Sequence, residues 1–327
     1  MKTHKVFLTR KIPQSAIDYL KKHNIDLELN EEDRVLTKDE ILRGVKGKDG
    51  LICLLTDTID AEIMEAAGDS LKIIATYAVG YNNIDVVAAT KRKLPVTNTP
   101  GVLTDTTADL AFALLMSISR KIVESDKFTR AGEFKGWGPL LQLGNDIYQK
   151  TIGIVGCGRI GSAVAERAAK GFQMKVLYSD TRRHEELEKK LNMEYCSLEK
   201  LLKESDYISI HVPLTDKTKH LIGEKELLMM KPSTYLINTS RGAVIDEQAL
   251  VRVLKDKHIA GAALDVYEHE PALAPGLAEL DNIIITAHIG SATIETRTKM
   301  GMIAVENLLA GLAGKVPPNC VNPEIYE

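Results

Sequence analysis

The sequence predicts an α/β fold built from two doubly wound, parallel-sheet domains. Short apolar runs alternate with helical patterns along most of the chain, and this alternation is typical of parallel strands covered by helices. A glycine-rich turn near residue 156 joins one of these runs to a helix, as at the start of a β-α-β unit. A length of 327 residues suggests two domains, each large enough for its own core.

The first domain takes its predicted strands from four apolar runs, at residues 5–9, 25–29, 50–54 and 72–76. Helical patterns separate these runs, at residues 13–23, 37–45 and 60–67. The last strand leads into a loop that carries Val79 and Gly80 and continues into a further helix. Ligands usually lie in such loops, at the C-terminal ends of parallel strands.

The second domain begins with a helical pattern at residues 104–120, and a buried strand is predicted at residues 151–155. Gly156, Gly158 and Gly161 follow this strand at G-x-G-x-x-G spacing. In a strand-to-helix turn of this kind, the first glycine permits the tight turn and the second lets a pyrophosphate approach the backbone. The third lets the helix pack closely on the strand.

Asp180 supports this interpretation of the glycines. It follows Gly161 by 19 residues, directly after an apolar run at residues 174–178. A carboxylate at the end of that strand can accept hydrogen bonds from an adenosine ribose. Arg182 and Arg183 could instead pair with a 2′-phosphate, or they could be solvated residues at the start of a helix. We therefore predict a dinucleotide site that prefers NAD(H), with NADP(H) possible.

Four later strands are predicted at residues 207–212, 235–238, 260–264 and 282–286. Each delivers polar residues at its C-terminal end, the edge at which a doubly wound sheet binds its ligand. A final helix at residues 291–312 could return the chain to the first domain. The predicted domains are therefore residues 1–99 plus 291–327, and residues 100–290.

Charge and cysteine usage exclude several classes of protein. The net charge of −3 gives no indication of nucleic-acid or membrane binding. The four cysteines are scattered without metal or redox spacing, which fits reduced thiols in a cytosol and predicts no metal site. No apolar run reaches the length of a membrane span, so we expect a cytoplasmic protein.

Arg241, Glu270 and His288 are the side chains best suited to chemistry. A guanidinium can hold a carboxylate and an adjacent carbonyl in bidentate fashion. A histidine beside a carboxylate is held in one tautomer and favoured as imidazolium, which makes it a competent proton donor. Each residue also has a simpler explanation: a surface ion pair, a solvated loop and a strand-end histidine. Sequence spacing alone does not bring the three together.

Five ordered motifs identify a family. They are Gly156-Cys157-Gly158-Arg159-Ile160-Gly161, His211-Val212-Pro213, Asn238-Thr239-Ser240-Arg241-Gly242, Asp265-Val266-Tyr267-Glu268 and His288-Ile289-Gly290-Ser291-Ala292-Thr293. With these motifs the chain resembles the D-isomer-specific 2-hydroxyacid dehydrogenases over essentially its whole length. The resemblance implies two Rossmann-like doubly wound domains, with the active site in the cleft between them.

The resemblance also implies roles for individual residues. Arg241, Glu270 and His288 are the expected catalytic set. The expected substrate-binding residues are Val79, Gly80, Trp137, Arg241 and His288. The expected cofactor-binding residues are Thr107, Gly156, Gly158, Arg159, Ile160, Gly161, Asp180, Arg182, His211, Val212, Pro213, Thr218, Thr239, Ser240, Arg241, Asp265, His288 and Ser291.

Within the family, the loop from Tyr77 to Asp85 and the segment around Trp137 look most like the glyoxylate and hydroxypyruvate reductases. Asn82 stands where their pattern has aspartate, and we expect this to leave the chemistry unchanged. The resemblance thus implies an oxidoreductase for small 2-oxo acids and a homodimer in which Trp137 reaches the partner's substrate site. The alternatives are a D-lactate or other 2-hydroxyacid dehydrogenase, or a nucleotide-sensing binding protein with little turnover.

Overall fold

The computed structural model describes residues 3–327, which divide into two compact units. One unit runs to Leu103 and takes up the chain again over Ser291–Glu327, and the other spans Thr104–Gly290. Each unit contains a parallel sheet with helices packed on it. The predicted pair of parallel-sheet α/β domains is confirmed, and the sequence-predicted domain limits at residues 99 and 290 stay a prediction.

The strands follow one another along the chain as β1 (His4–Leu8), β2 (Ile25–Leu29), β3 (Gly50–Cys53), β4 (Ile73–Thr76), β5 (Val96–Thr97), β6 (Thr151–Val155), β7 (Lys175–Ser179), β8 (Glu194–Tyr195), β9 (Tyr207–Ile210), β10 (Tyr235–Asn238), β11 (Gly261–Leu264) and β12 (Ile283–Ile285).

The helices are α1 (Gln14–Lys21), α2 (Lys38–Gly44), α3 (Ala61–Ala67), α4 (Val86–Lys91), α5 (Thr104–Ser119), α6 (Ile122–Arg130), α7 (Arg159–Phe172), α8 (Glu185–Leu191), α9 (Leu198–Glu204), α10 (Glu224–Leu228), α11 (Glu247–Lys255) and α12 (Ile294–Leu312). Short 3₁₀ turns lie at Gly68–Ser70, Gly242–Val244, Leu277–Glu279 and Pro323–Tyr326.

The first unit has the strand order β2-β1-β3-β4-β5, with all its neighbouring strands parallel. Successive residues of β1 point to opposite faces, so Val6 and Leu8 pack with α1 and α12 while Phe7 packs on the other side. Helix α12 supplies Met300 and Leu308 to the first of these cores. The C-terminal segment thus completes a unit that the N-terminal segment begins.

The second unit has the strand order β12-β11-β10-β9-β6-β7-β8, again all parallel. Counted from β6, this is the dinucleotide-fold order with one more strand at an edge. The direction of winding reverses between β6 and β9, and ligands bind at such a reversal, beyond the carboxyl ends of the strands. The glycine-rich turn follows β6 directly, so it lies at that position.

The structure also corrects several predicted element limits. Strand β9 ends at Ile210, before the predicted limit of 212, because His211 and Val212 turn to pack against Gly156. Helix α12 begins at Ile294 rather than residue 291, because the Thr293 hydroxyl caps it by accepting a hydrogen bond from Thr296 N–H. Six strands and helices were not predicted: the short edge strands β5 and β8 and the helices α6, α9, α10 and α11.

Across the described residues, none of the helices combines the length and the apolar character that crossing a lipid bilayer would require.

Candidate active site

The turn between β6 and α7 has the backbone that the glycine spacing requires. Gly156 has a φ of 89°, in the left-handed region that favours glycine. A Cβ on this residue would lie 2.7 Å from Val212 Cγ1 and 2.9 Å from the backbone of His211. Val212 and His211 therefore form a wall directly beside the turn.

Gly161 and Gly158 lie in opposite surroundings. A Cβ at Gly161 would lie 2.1 Å from the carbonyl oxygen of Gly156, so helix and turn touch through backbone alone. A Cβ at Gly158 would meet nothing within 4 Å. Gly158 is the N-cap of α7, and Arg159 opens the helix with its side chain exposed. This open, partially positive helix end is a surface that a pyrophosphate can approach.

Asp180 ends the next strand and is tied to the glycine turn. Its Oδ2 accepts a hydrogen bond from Cys157 N–H at 2.7 Å, and its Oδ1 accepts one from Thr181 N–H at 2.6 Å. Burial raises the pKa of Asp180, but these hydrogen bonds outweigh burial and the net effect lowers the pKa. A fixed negative charge therefore lies next to the turn.

The two arginines after Asp180 differ in their contacts. Arg182 is exposed, and no residue in the described part of the chain forms a salt bridge with its side chain. The Arg183 guanidinium is held by Glu188, with Nε–Oε1 at 2.9 Å and an Nη–Oε2 contact at 2.7 Å. Of the two arginines that could pair with a 2′-phosphate, Arg183 is thus already bound by a carboxylate.

The loop after β9 presents a neutral histidine. Burial lowers the pKa of His211 to about 3, so the ring carries no charge at neutral pH. Its Nε2 lies 2.8 Å from the hydroxyl of Ser209. Thr218 shapes the same loop, because its hydroxyl donates to the Pro213 carbonyl at 2.6 Å and accepts from Thr215 N–H at 2.8 Å.

Asn238 positions Arg241, a role that sequence reasoning missed. Its Oδ1 accepts hydrogen bonds from the Ser240 N–H at 3.0 Å and hydroxyl at 2.9 Å, and its Nδ2 donates to the Arg241 carbonyl at 3.0 Å. The turn is thus closed by one amide side chain, which is a common function of asparagine after a strand. Thr239, in the same turn, has a buried hydroxyl without a hydrogen-bond partner among the described residues.

Glu270 and His288 form a hydrogen-bonded pair. Glu270 Oε2 lies 2.8 Å from His288 Nδ1, and Glu270 Oε1 accepts a hydrogen bond from Tyr267 N–H at 3.1 Å. Burial raises the pKa of Glu270, but the hydrogen bond to His288 and the charge of Arg241 contribute to a net lowering. The carboxylate is therefore ionised near neutral pH and fixes the orientation of the imidazole ring.

Arg241 lies close enough for its charge to act on Glu270 of this pair. Burial lowers the pKa of its guanidinium, and the negative charge of Glu270 opposes that effect. One Nη donates to the Ser240 carbonyl at 2.7 Å. The structure thus brings together the three side chains that sequence spacing could not, within the second unit alone.

Asp265 holds the loop that carries His288. Its carboxylate accepts hydrogen bonds from the Thr286 hydroxyl at 2.6 Å and from the N–H groups of Ile289 and Gly290, both at 2.8 Å. The residue is fully buried. A Cβ at Gly290 would lie 3.4 Å from Thr107 Cγ2, so Thr107 packs against the same loop. Asp265 is therefore placed to support His288 through the backbone.

The remaining predicted site residues lie apart from this group in the chain. Val79 and Gly80 are partly buried in the first unit, where the Val79 carbonyl accepts a hydrogen bond from Asn98 Nδ2 at 2.8 Å. Ser291 opens the returning segment of that unit, and its carbonyl accepts a bond from Arg297 Nε at 3.3 Å. Trp137 is 85% exposed in a surface loop of the second unit.

Comparison with known proteins agrees with this fold and these motifs. The family model described as D-isomer specific 2-hydroxyacid dehydrogenase, NAD binding domain, matches residues 112–290. A glyoxylate reductase from Korarchaeum cryptofilum is 52% identical over 326 residues, which cover 99% of this chain and 97% of that protein. A glyoxylate reductase from Thermococcus litoralis is also 52% identical, covering 98% and 97% of the two chains.

A solved structure gives the same result. The crystal structure of TT0316 protein from Thermus thermophilus matches with a TM-score of 0.91 and 46% identity, over 97% of this chain and 99% of that one. Fold and motifs therefore define a dinucleotide-binding α/β oxidoreductase. The chain belongs to the D-isomer specific 2-hydroxyacid dehydrogenase family, as its motifs predicted.

Proposed function

We propose that this protein reduces glyoxylate and hydroxypyruvate to the corresponding 2-hydroxy acids, with a reduced nicotinamide cofactor. The observation that carries the proposal is the Glu270–His288 hydrogen bond of 2.8 Å, with the half-buried guanidinium of Arg241 near enough for its charge to act on Glu270. Such a group supplies one proton and one positive charge, which are what a 2-oxo acid requires as its carbonyl is reduced. The names of the relatives support glyoxylate as a substrate.

In this mechanism Arg241 binds the substrate carboxylate and polarises the C2 carbonyl, and the backbone amides of Val79 and Gly80 hold the same carboxylate. His288 donates a proton from Nε2 to the carbonyl oxygen as negative charge develops there. Glu270 keeps the imidazole protonated and oriented through Nδ1. When bound, a reduced nicotinamide contributes hydride donation to C2.

The residues around the glycine turn fit a dinucleotide. Gly158 leaves open space at the start of α7, Asp180 offers an ionised carboxylate to a ribose, and His211 adds no charge. A 2′-phosphate would be repelled by Asp180, so we expect NADH to be preferred by about tenfold, or ~1.4 kcal/mol. NADPH would still be accepted at lower efficiency.

Two further features belong to this proposal. Several apolar side chains are exposed between residues 134 and 148, Trp137 and Leu140 among them, and a second copy of the chain would cover them in a homodimer. A cytoplasmic location is consistent with four free cysteines, three of them buried.

A substrate panel tests the proposal. Purified protein would be assayed with glyoxylate, hydroxypyruvate, pyruvate and larger 2-oxo acids, each with NADH and NADPH. The proposal expects the highest kcat/KM for glyoxylate or hydroxypyruvate with NADH. Higher efficiency with pyruvate would indicate a lactate-type dehydrogenase, and cofactor binding without turnover would indicate a nucleotide sensor.

A further inference from the structure

The segment after Asp180 contains an ion pair that the proposed chemistry does not use. Arg183 and Glu188 form a forked contact, in which Nε lies 2.9 Å from Oε1 and an Nη lies 2.7 Å from Oε2. The Arg183 side chain is 60% exposed, whereas that of Glu188 is only 13% exposed. The carboxylate is therefore the fixed partner, and the arginine is the one that is held.

Glu188 is fixed because the core holds it. Its Oε1 accepts a hydrogen bond from the Tyr178 hydroxyl at 2.6 Å, and Tyr178 is fully buried in the core of the second unit. The same hydroxyl accepts a hydrogen bond from His184 N–H at 2.7 Å. A buried tyrosine thus connects β7, the start of α8 and the carboxylate that grips Arg183.

We propose that Glu188 is a specificity-determining residue for the cofactor, because it holds the Arg183 guanidinium and so prevents it from pairing with a 2′-phosphate. The inference rests on the proposed use of a nicotinamide cofactor with its adenosine ribose at Asp180. It assigns the preference for NADH to two carboxylates. Asp180 repels the 2′-phosphate of NADPH, and Glu188 binds the Arg183 guanidinium that would otherwise attract this phosphate.

Arg183 has the position and chemistry that this role requires. It lies three residues beyond Asp180, in a short loop whose backbone is folded around the Asp180 carboxylate by the Thr181 hydrogen bond. An arginine fork binds phosphate in the same bidentate way as it binds carboxylate. Phosphate and Glu188 would therefore compete for the same nitrogen atoms.

A pair of matched variants isolates the effect. Glu188→Gln removes the charge that holds Arg183 and keeps an acceptor oxygen for the Tyr178 hydroxyl. Glu186→Gln removes the same charge from an exposed position on the same helix, where no salt bridge is recorded among the described residues. Comparison of the two separates release of Arg183 from a general change in local charge.

The experiment measures dissociation constants of NADH and NADPH by fluorescence titration of the full chain. We expect Glu188→Gln to improve binding of NADPH relative to NADH by about fivefold, the scale of one exposed ion pair. Glu186→Gln should leave the ratio unchanged. The double variant Arg183→Ala with Glu188→Gln should lose the gain, because the released arginine is the source of it.

The outcomes separate this inference from the proposed function. If the ratio of the NADPH and NADH dissociation constants is the same in Glu188→Gln and Glu186→Gln, with NADH binding intact, the role of Glu188 is overturned. The proposed function is unaffected by that result. Asp180→Arg serves as a positive control, and a shift toward NADPH in that variant together with no shift in Glu188→Gln has the same meaning. If the unmodified protein binds neither cofactor, the proposed function fails and this inference fails with it.

Discussion

Arg241 is the residue on which the proposed grip of the substrate depends. We expect Arg241→Ala to lower kcat/KM for glyoxylate by about a thousandfold, or ~4 kcal/mol, because two charge-assisted hydrogen bonds to the reacting group are lost. Binding of NADH, measured by titration, should remain similar. Arg241→Lys keeps the charge without the planar guanidinium, so its kcat/KM should lie between those of the unmodified protein and Arg241→Ala. Near-normal turnover in Arg241→Ala would remove the residue from the mechanism.

Glu270 gives a second prediction at this scale, for the pH profile. The net lowering of the Glu270 pKa keeps its carboxylate negative near neutral pH, and the negative charge stabilises the imidazolium of His288. The reduction rate should therefore fall at acidic pH, where Glu270 takes up a proton and the charge beside His288 is lost. Glu270→Gln lacks this charge at every pH, so its rate should be lower throughout and should not show that acidic fall.

The matched control is Glu268→Gln. Glu268 lies in the same loop as Glu270, but its Oε1 is 2.6 Å from Nε2 of a different histidine, His220. The pH dependence of kcat in Glu268→Gln should coincide with that of the unmodified protein. A Glu270→Gln profile that is also unmoved would show that Glu270 does not act through His288.

Some residue-level features were accessible from the sequence and others were not. Residue type drew attention to Arg241, Glu270 and His288, and the family resemblance implied that they form one set; their catalytic roles stay a prediction. The roles of Asn238 and Asp265 were not predicted, because each acts by binding backbone N–H or C=O groups whose positions depend on the folded turn. The Arg183–Glu188 pair was missed because the exposed Arg183 side chain can adopt many rotamers, and sequence alone does not select the one that contacts Glu188.

At the scale of elements, the β6–α7 turn contains two glycines that serve different purposes, which makes them separable by mutation. Gly161→Ala should destabilise the protein by about 2 kcal/mol or more, because the added Cβ would lie 2.1 Å from the Gly156 carbonyl oxygen. Gly158→Ala adds a Cβ into open space at a backbone conformation that alanine tolerates. It should leave the melting temperature nearly unchanged and weaken NADH binding.

Thermal unfolding and cofactor titration of both variants provide the measurements. Equal losses of stability in the two variants would contradict the different surroundings of the two glycines. Normal NADH affinity in a stable Gly158→Ala would indicate that no phosphate approaches the backbone there.

Among the elements, most of the buried strands and several of the amphipathic helices were predicted with nearly correct limits, because periodicity is strongest where one face is buried. The two-residue strands β5 and β8 were missed, since two residues establish no pattern and both lie at sheet edges. Helix α6 was missed because none of its side chains is buried, which leaves no apolar face for a sequence to show.

For the whole molecule, we expect a homodimer. Trp137 is 85% exposed and Leu140 80% exposed, and further apolar residues follow in the same loop, a surface that isolated proteins rarely present to water. Light scattering at working concentration should give twice the mass of one chain. Leu140→Asp should lower that mass, and Trp137→Ala should raise KM for the substrate if the loop reaches the partner's site.

Val316→Asp is the control for this test, because Val316 is also apolar and 58% exposed but lies elsewhere, in the returning C-terminal segment. Its mass should equal that of the unmodified protein. A monomeric mass with full activity in the unmodified protein would be inconsistent with the dimer and with a role for Trp137 across it.

The return of α12 to the first unit has a consequence for synthesis on the ribosome. Ala16, Ile17 and Leu20 of α1 pack in the core that α12 completes, so they lack their final partners until residue 312 has emerged. The ribosome adds roughly 5–20 residues per second, so α1 stays without its α12 contacts for on the order of 10 s or more. During that interval the second unit, which is continuous in sequence, can already fold. The apolar side chains of α1 therefore stay exposed on the nascent chain for longer than those of the second unit. We expect a chaperone to bind this segment during translation.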